Sequence, residues 1–390
     1  MTGEWVKTPT MSFTSLSEEQ VLIQDTARRY ALDVLAPKSA QWDREKHFPV
    51  DVIRSCAKLG FAGIYVSDTL GGSGLSRLDA ALIFEQLSYG DVSTAAFVSI
   101  HNMATWMIDR FGDDALRERF VPAMTSMELM ASYCLTEPGS GSDAAAMKTT
   151  AKRDGDFYVL NGSKQFISGA GASDVYVLMA RTGEQGAKGV SAFVIPKDTD
   201  GLSFGSNEMK MGWNSQPTRQ LILEDARIPL TNRIGEEGDG FKFAMAGLDG
   251  GRLNIAACSI GGAQRALDKA LAYAKERQQF GKAISEFQAI QFKLADMETE
   301  LQAARVFLYE AAAKLDAKAP DATRWCAMAK RFVTDTGSKV ANDALQIHGG
   351  YGYLTEYGVE QIVRDLRVHQ ILEGTNEIMR VIISRDMLKD

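Results

Sequence analysis

Glu373 lies in the run Ile371-Leu372-Glu373-Gly374, between apolar residues and a glycine. A carboxylate placed against apolar side chains and a bound ligand is partly desolvated, which raises its pKa toward neutrality. Such a carboxylate is a useful general base at physiological pH. The alternative is a solvated glutamate at the end of a helix, which is the more common position for a single glutamate.

The stretch from Tyr133 to Asp143 is rich in glycines and hydroxyl side chains. Glycines let main-chain N–H groups approach a ligand closely. Thr136, Ser140 and Ser142 supply hydrogen-bond donors that suit a polar ring edge or a phosphate. The pattern indicates a ligand-binding loop, although an ordinary turn between two domains has the same composition.

Ser203 lies in the run Gly201-Leu202-Ser203-Phe204-Gly205, which has the letters of the nucleophile elbow of serine hydrolases. Such an elbow needs a strand before the serine and a helix after it. Here a turn precedes the run and β-like sequence follows it. A serine hydrolase that uses Ser203 is therefore a distant alternative, as is a helical scaffold without catalytic activity.

The histidines and cysteines do not indicate a metal site. None of the four histidines stands at ligand spacing with another histidine or a cysteine, and the four cysteines form no CxxC pair. We therefore expect no metal, and a reducing compartment. The sequence also lacks the glycine patterns that bind a nucleotide on a phosphate loop or a Rossmann turn.

The periodicity of the apolar residues divides the chain into three parts. Helical spacing predicts an N-terminal α-helical domain over residues 1–130. Segments rich in β-formers, with tight turns at Asp154-Gly155 and Asn161-Gly162, predict a middle antiparallel β domain over residues 131–240. Helical spacing returns over residues 241–390. The prediction is an α+β multidomain protein whose candidate site residues lie in the middle and last parts.

One helical segment in the last part has apolar residues at alternating steps of four and three, which is typical of the seam of a long helix in a bundle. This seam suits either a buried core stripe or a subunit interface. Its residues are Ile290, Leu294, Met297, Leu301, Ala304, Leu308, Ala311 and Leu315.

Composition excludes several classes of function. The chain has 390 residues and a net charge of −7, without a basic block, so nucleic acid is not an expected partner. The longest uncharged run, Val92 to Ile108, is too short and too polar to span a bilayer, and it predicts a buried helix. Residues Met1 to Thr14 lack the features of a secretory or transit peptide. We expect the cytoplasm if the source is bacterial, or the mitochondrial matrix if the chain is a processed eukaryotic protein.

Together, the segments around Tyr133–Asp143 and Gln346–Asn376 closely resemble the two signature segments of the acyl-CoA dehydrogenase family. The resemblance covers essentially the whole chain. It implies the family's fold, with a C-terminal four-helix bundle, and FAD bound between the domains of a homotetramer. One departure is Gln361, which stands where many members carry a basic residue.

The resemblance implies three groups of FAD-binding residues. Those around the flavin ring and its phosphate are Tyr133, Leu135, Thr136, Gly141, Ser142, Phe166, Ile167 and Ser168. Those offered to the dinucleotide of a neighbouring subunit are Arg277, Gln279, Phe280, Phe287, Gln288, Gln346, Ile347, His348, Gly349 and Gly350. Those in the loop that closes on the adenine side are Thr375, Asn376 and Glu377.

The resemblance also implies the reaction, in which Glu373 removes the α proton of an acyl-CoA. Some members carry the base at the position that aligns with Gly251, where this chain has no carboxylate. The implied substrate contacts are Ser142, Asp249, Gly250, Gly251, Arg252, Gly374 and Arg385.

Three segments, Tyr133–Asp143, Met211–Arg219 and Arg367–Gly374, are most similar to those of family members that act on a short, α-branched acyl group. They imply that isobutyryl-CoA is converted to methacrylyl-CoA in valine catabolism. Electron-transferring flavoprotein is the implied acceptor. The alternatives are 2-methylbutyryl-CoA and a short straight-chain acyl-CoA, because one methylene changes discrimination by only about 1–3 kcal/mol.

Overall fold

The computed structural model describes residues 16–389. The expectation about Met1–Thr14 and the first part of the predicted N-terminal domain lie outside these residues. Within residues 16–389, no helix has the length and apolar character needed to cross a bilayer.

The first part of the described chain is helical, as predicted. The run Val92 to Ile108, predicted to be a buried helix, forms most of a long helix whose side chains are mainly buried. Asp91 caps this helix by accepting a hydrogen bond from the main-chain N–H of Thr94 at 2.8 Å. The helices are α1 (Glu18–Tyr30), α2 (Ser39–Glu45), α3 (Val50–Ser55), α4 (Arg77–Gly90), α5 (Val92–Phe111) and α6 (Asp114–Thr125).

The middle part forms one eight-stranded sheet, in the order β6-β7-β3-β2-β4-β5-β8 with β1 beside β4. Most neighbouring strands are antiparallel, as predicted, but β1 and β2 each run parallel to β4. The strands are β1 (Ala131–Cys134), β2 (Thr150–Asp154), β3 (Phe157–Ser168), β4 (Val175–Arg181), β5 (Val190–Pro196), β6 (Leu202–Phe204), β7 (Thr218–Pro229) and β8 (Arg233–Ile234).

The turn predicted at Asn161-Gly162 is wrong, because both residues lie inside β3. The pairing of β3 with β7 shifts register between Leu160 and Gly162, which identifies a β-bulge. Gly162 has a φ of 141°, and a Cβ atom there would lie 2.6 Å from Thr149 Oγ1. Glycine therefore serves the bulge, whereas the predicted turn at Asp154-Gly155 does connect β2 to β3.

Ser203 lies in β6, an edge strand that pairs with β7. The next regular element is another strand, β7, so the strand-to-helix turn of a nucleophile elbow is absent at this serine. The distant serine hydrolase alternative is therefore wrong.

The last part is a bundle in which α7, α8 and α9 pack against one another, with α10 and α11 packed on α9. In the predicted seam on α8, Met297, Leu301 and Leu308 are fully buried, so the seam is a core stripe. The helices are α7 (Gly240–Glu276), α8 (Gln288–Asp316), α9 (Ala322–His348), α10 (Val359–Arg367) and α11 (Asn376–Met387), and a short hairpin of β9 (Gln278–Gln279) and β10 (Lys282–Ala283) joins α7 to α8.

The bulge gives a testable prediction. Gly155→Ala places a Cβ in open space at a φ of 58°, so it should cost only about 1–2 kcal/mol of stability for the left-handed backbone. Gly162→Ala also forces a clash with Thr149, which adds about 1–3 kcal/mol. Thermal unfolding should therefore show the larger loss for Gly162→Ala. Equal losses would contradict the bulge.

Candidate active site

A cavity of about 1110 Å³ lies where the helical, β and bundle regions meet. Its walls come from α5, β1, the loop after β1, the end of β3, α7 and the chain from Arg364 to Arg385. The volume exceeds the roughly 300–1000 Å³ of ordinary small-molecule sites. The cavity brings together twelve predicted site residues: Tyr133, Leu135, Thr136, Gly141, Ser142, Phe166, Ile167, Ser168, Arg252, Glu373, Gly374 and Arg385.

Glu373 lies in the loop between α10 and α11, in an unusual backbone conformation. Its φ is 56° and that of the next residue, Gly374, is 86°. A left-handed glutamate costs about 1–3 kcal/mol, so the surrounding structure must hold it in place. Arg252 contributes to this, because its Nε donates to the main-chain oxygen of Glu373 at 3.3 Å.

The Glu373 carboxylate is enclosed, and its Oε2 atom has no hydrogen-bond partner among the described residues. Burial raises the pKa of Glu373 to about 7, although the Arg252 and Lys330 cations oppose that rise. A Cβ atom on Gly251 would lie 2.6 Å from Oε2, so glycine at that position makes room for the carboxylate. A carboxylate with a pKa near 7 has the property that a general base needs at neutral pH.

The predicted ligand-binding loop after β1 lies against the end of β3. The main-chain N–H of Gln165 donates to the carbonyl of Thr136 at 2.8 Å, which joins the two predicted flavin segments. Glu137 anchors the loop through a buried ion pair with Lys164 at 2.8 Å and by accepting a hydrogen bond from Thr149 N. Gly141 has open space where a Cβ would stand.

These residues fit a flavin ring. Phe166 is 65% exposed and lines the cavity, so its ring is accessible to a ligand there. The Tyr133 hydroxyl is buried without a partner, as is Glu373 Oε2 in the same cavity. Buried polar atoms are rarely left unsatisfied, so these two indicate a polar ligand.

The loop between β6 and β7 forms another wall of the cavity; its Met211–Arg219 segment carried the resemblance to short-chain members, but none of its residues was among the predicted site residues. Gly212 lets this loop approach α10 closely, because a Cβ there would lie 2.5 Å from the carbonyl oxygen of Arg364. The main-chain N–H of Trp213 donates to Asp365 Oδ1 at 2.6 Å. Burial raises the pKa of Asp365 to about 8. A basic side chain, Lys210, also lines the cavity, and such long-range contacts leave no local pattern in the sequence.

A second, smaller cavity of about 380 Å³ lies around the end of α7 and the end of α9. It brings together Arg277, Gln279, Ile347, His348, Gly349 and Gly350, all predicted to serve a neighbouring subunit. The ring of Tyr273 stacks on His348 with centroids 4.5 Å apart. Gly349 and Gly350 have open space beside them, which lets a ligand approach the main chain.

Other predicted residues line neither cavity. Phe280 is 94% exposed and makes an edge-to-face contact with Phe287, whereas Gln288 begins α8 and Gln346 lies near the end of α9. Gly250 faces Arg77, whose Nη1 would lie 2.3 Å from a Cβ at that position.

The three residues predicted to close on the adenine side of the flavin, Thr375, Asn376 and Glu377, also line neither cavity. Thr375 caps α11, and the side chain of Glu377 is exposed. Asn376 is buried and turns its amide toward α9. Asp249 pairs with Arg252 at 2.7 Å and so orients a cation of the cavity wall.

Comparison with protein-family models identifies the class of enzyme to which the chain belongs. Three family models, described as the N-terminal, middle and C-terminal domains of acyl-CoA dehydrogenase, match residues 17–128, 132–226 and 238–388. The chain belongs to the acyl-CoA dehydrogenase family.

Among curated relatives, the chain is 56% identical to the mitochondrial isobutyryl-CoA dehydrogenase of Dictyostelium discoideum, over 96% of this chain and 90% of the relative. It is 54% identical to the mitochondrial isobutyryl-CoA dehydrogenase of Bos taurus, again over 96% and 90%.

Solved structures are similar over nearly the whole chain. Butyryl-CoA dehydrogenase from Megasphaera elsdenii matches with a TM-score of 0.94 and 37% identity, covering 97% of this chain and 100% of that one. A chain from work on the electron transferring flavoprotein of Acidaminococcus fermentans matches with a TM-score of 0.94 and 41% identity, covering 97% and 100%. The FAD complex of PigA matches with a TM-score of 0.93 and 34% identity, covering 97% and 99%.

The raised pKa of Glu373 can be measured directly. Because its pKa is about 7 instead of its usual 4.5, the carboxylate should take up its proton as the pH falls through 7. The infrared difference between wild type and Glu373→Gln should show this titration in protein without substrate. A carboxylate that stays ionised down to pH 5 would contradict the enclosed site.

Proposed function

We propose that this chain is an FAD-dependent isobutyryl-CoA dehydrogenase that forms methacrylyl-CoA in valine catabolism. The observation that carries the proposal is the enclosed, unpartnered carboxylate of Glu373, in the same cavity as the predicted flavin wall. The isobutyryl-CoA dehydrogenases of two distant organisms, both more than half identical to this chain, support the substrate.

FAD would be held by the loop after β1 and by the end of β3. Phe166 and Ile167 would cover one side of the ring system, with Thr136, Ser142 and Ser168 as hydrogen-bonding groups. When bound, FAD supplies the acceptor for the hydride that leaves Cβ of the acyl chain. The similarity to an FAD complex over nearly the whole chain supports this cofactor.

Glu373 removes the proton from Cα, and the pair of electrons left behind forms the new double bond as hydride leaves Cβ. Its pKa of about 7 suits this step, because a base is most useful when its pKa lies near the working pH. The main-chain N–H of Glu373 makes no hydrogen bond within residues 16–389. It is therefore free to donate to the thioester oxygen, where negative charge develops.

The acyl chain would lie among apolar side chains of the cavity wall, which include Ile100, Met103, Leu248 and Ile255. An apolar wall excludes water, which strengthens the polar contacts at the thioester. Arg252 and Arg385 also line the cavity and would meet polar parts of acyl-CoA. The butyryl-CoA dehydrogenase of similar fold keeps a short straight-chain substrate as the second candidate.

Electron-transferring flavoprotein would reoxidise the enzyme, in keeping with the similarity to a chain from work on that flavoprotein. We also propose a homotetramer in which the second cavity and the exposed Phe280 meet the FAD of a neighbouring subunit. A guanidinium such as that of Arg277 binds a pyrophosphate well. The mitochondrial relatives favour the matrix for a eukaryotic source, and a bacterial source would place it in the cytoplasm.

The reaction and the substrate can be tested on the purified holoenzyme. It should absorb blue light, and isobutyryl-CoA should bleach it faster than 2-methylbutyryl-, butyryl- or isovaleryl-CoA does. Glu373→Gln should slow the bleaching by about 10²- to 10⁴-fold, because it removes the general base.

Glu224→Gln is the matched control, since Glu224 is exposed on β7 and outside both cavities. It should react at the wild-type rate. Fast bleaching by Glu373→Gln would refute the mechanism, and a wide preference for butyryl-CoA would refute the substrate.

The role of the second cavity predicts a different defect. Arg277→Ala should lower the FAD content of the purified protein, whereas the Glu373 site of each chain stays intact. Bound flavin per chain measures the FAD content, and the native mass shows whether the protein is a tetramer. A wild-type protein that is a monomer and still carries one FAD per chain would exclude the proposed contribution of a neighbouring subunit.

A further inference from the structure

Lys330, on α9, is a fully buried lysine that the reaction described above does not use. Its Nζ atom donates to the main-chain oxygen of Gly374 and to Asn376 Oδ1, both at 2.8 Å. No carboxylate of residues 16–389 forms an ion pair with it. A buried ammonium without a paired carboxylate is expensive to maintain, so its position calls for an explanation.

Lys330 belongs to a network that fixes the loop of the base to α9. Asn376 accepts from Lys330 and donates to Asp335 Oδ1 at 2.8 Å and to Thr334 Oγ1 at 3.0 Å. Gln370, on the other side of Glu373 in sequence, donates to the same Asp335 oxygen at 2.7 Å. The loop is therefore tied to α9 both before and after the base.

The ties act where the backbone is strained. Glu373 and Gly374 are both left-handed, with φ values of 56° and 86°. Arg252 donates to the carbonyl of Glu373, and Lys330 donates to the carbonyl of Gly374. Two cations thus hold two successive carbonyls and leave the carboxylate free to face the cavity.

We propose that Lys330 is a positioning residue for the catalytic base: its ammonium group fixes the Gly374 carbonyl and the Asn376 amide, and its charge favours the ionised form of Glu373. This inference rests on the proposed function of Glu373. It adds to the reaction a residue that lies 43 positions from the base in sequence and lines neither cavity.

The charges around the pair agree with this role. Burial lowers the pKa of Lys330 to about 8; Glu373 opposes that shift, Arg252 adds to it, and Asp335 and Glu377 oppose it. The other titratable groups that face the pair are Tyr65, Tyr133 and His369. With His369 neutral because burial lowers its pKa to about 3, Arg252 and Lys330 are the cations that act on Glu373.

The test compares Lys330→Met and Lys330→Gln in the holoenzyme. Both lose the charge, so the acidic limb of the pH profile for flavin bleaching by isobutyryl-CoA should move up by about half a unit to one unit. Below the limb, this shift is a roughly 3- to 10-fold loss of rate. Only Lys330→Met also loses the hydrogen-bond donors, so amide hydrogen exchange over residues 371–378 should rise more in Lys330→Met than in Lys330→Gln.

Lys339→Met is the control, because Lys339 lies on the same helix, is largely exposed and pairs with Glu300. It should leave both readouts unchanged. If isobutyryl-CoA bleaches wild type but the acidic limb of the pH profile does not move in the Lys330 variants, the role of Lys330 is overturned and the proposed function stands. If wild type itself is not bleached, the proposed function fails. If neither Lys330 variant folds, the residue serves stability alone and the inference is also overturned.

Discussion

The site depends on a carboxylate held in a conformation that its own backbone disfavours. Glu373 adopts a left-handed φ of 56°, and such strain persists only where neighbouring contacts outweigh it. The contacts come from α7 through Arg252 and from α9 through Lys330. The two helices also pack extensively against each other. Two packed helices of the bundle thus present two cations to one loop.

Hydrogen bonds and ion pairs between distant segments also fix the other parts of the molecule beside the cavity. The loop that carries Trp213 is fixed to α10 by Asp365, and Arg364 forms an ion pair with Asp43 of α2 at 2.6 Å. All three regions of the chain thus meet beside the cavity wall. A displacement of any one of them would move atoms that a ligand touches, and misplacement by about 1 Å can cost two orders of magnitude in rate.

Local patterns in the sequence predicted the parts of the structure that local physics determines. The spacing of apolar residues predicted α8 and its apolar seam, but not whether that seam faces the core or another subunit. The glycines and hydroxyls after Tyr133 indicated a ligand-binding loop or an ordinary turn, and the structure places that loop at the cavity. The turn predicted at Asn161-Gly162 was wrong because a β-bulge needs the same backbone freedom as a turn. The feature that distinguishes the bulge from a turn is the close approach of Gly162 to Thr149, a residue distant in sequence. Lys330 was missed for a related reason, since a lysine in an amphipathic helix is normally on its solvated face.

Glu373 illustrates how burial and charge together set a useful pKa. Burial by itself favours the protonated carboxylic acid and so raises the pKa of Glu373. The cations of Arg252 and Lys330 lower its pKa, and the balance falls at about 7. Neither cation lies within ion-pair distance of the Glu373 carboxylate, and no salt bridge within residues 16–389 holds its oxygens. A ligand that enters the cavity thus meets a carboxylate that is partly ionised near neutral pH and has no hydrogen-bond partner within residues 16–389.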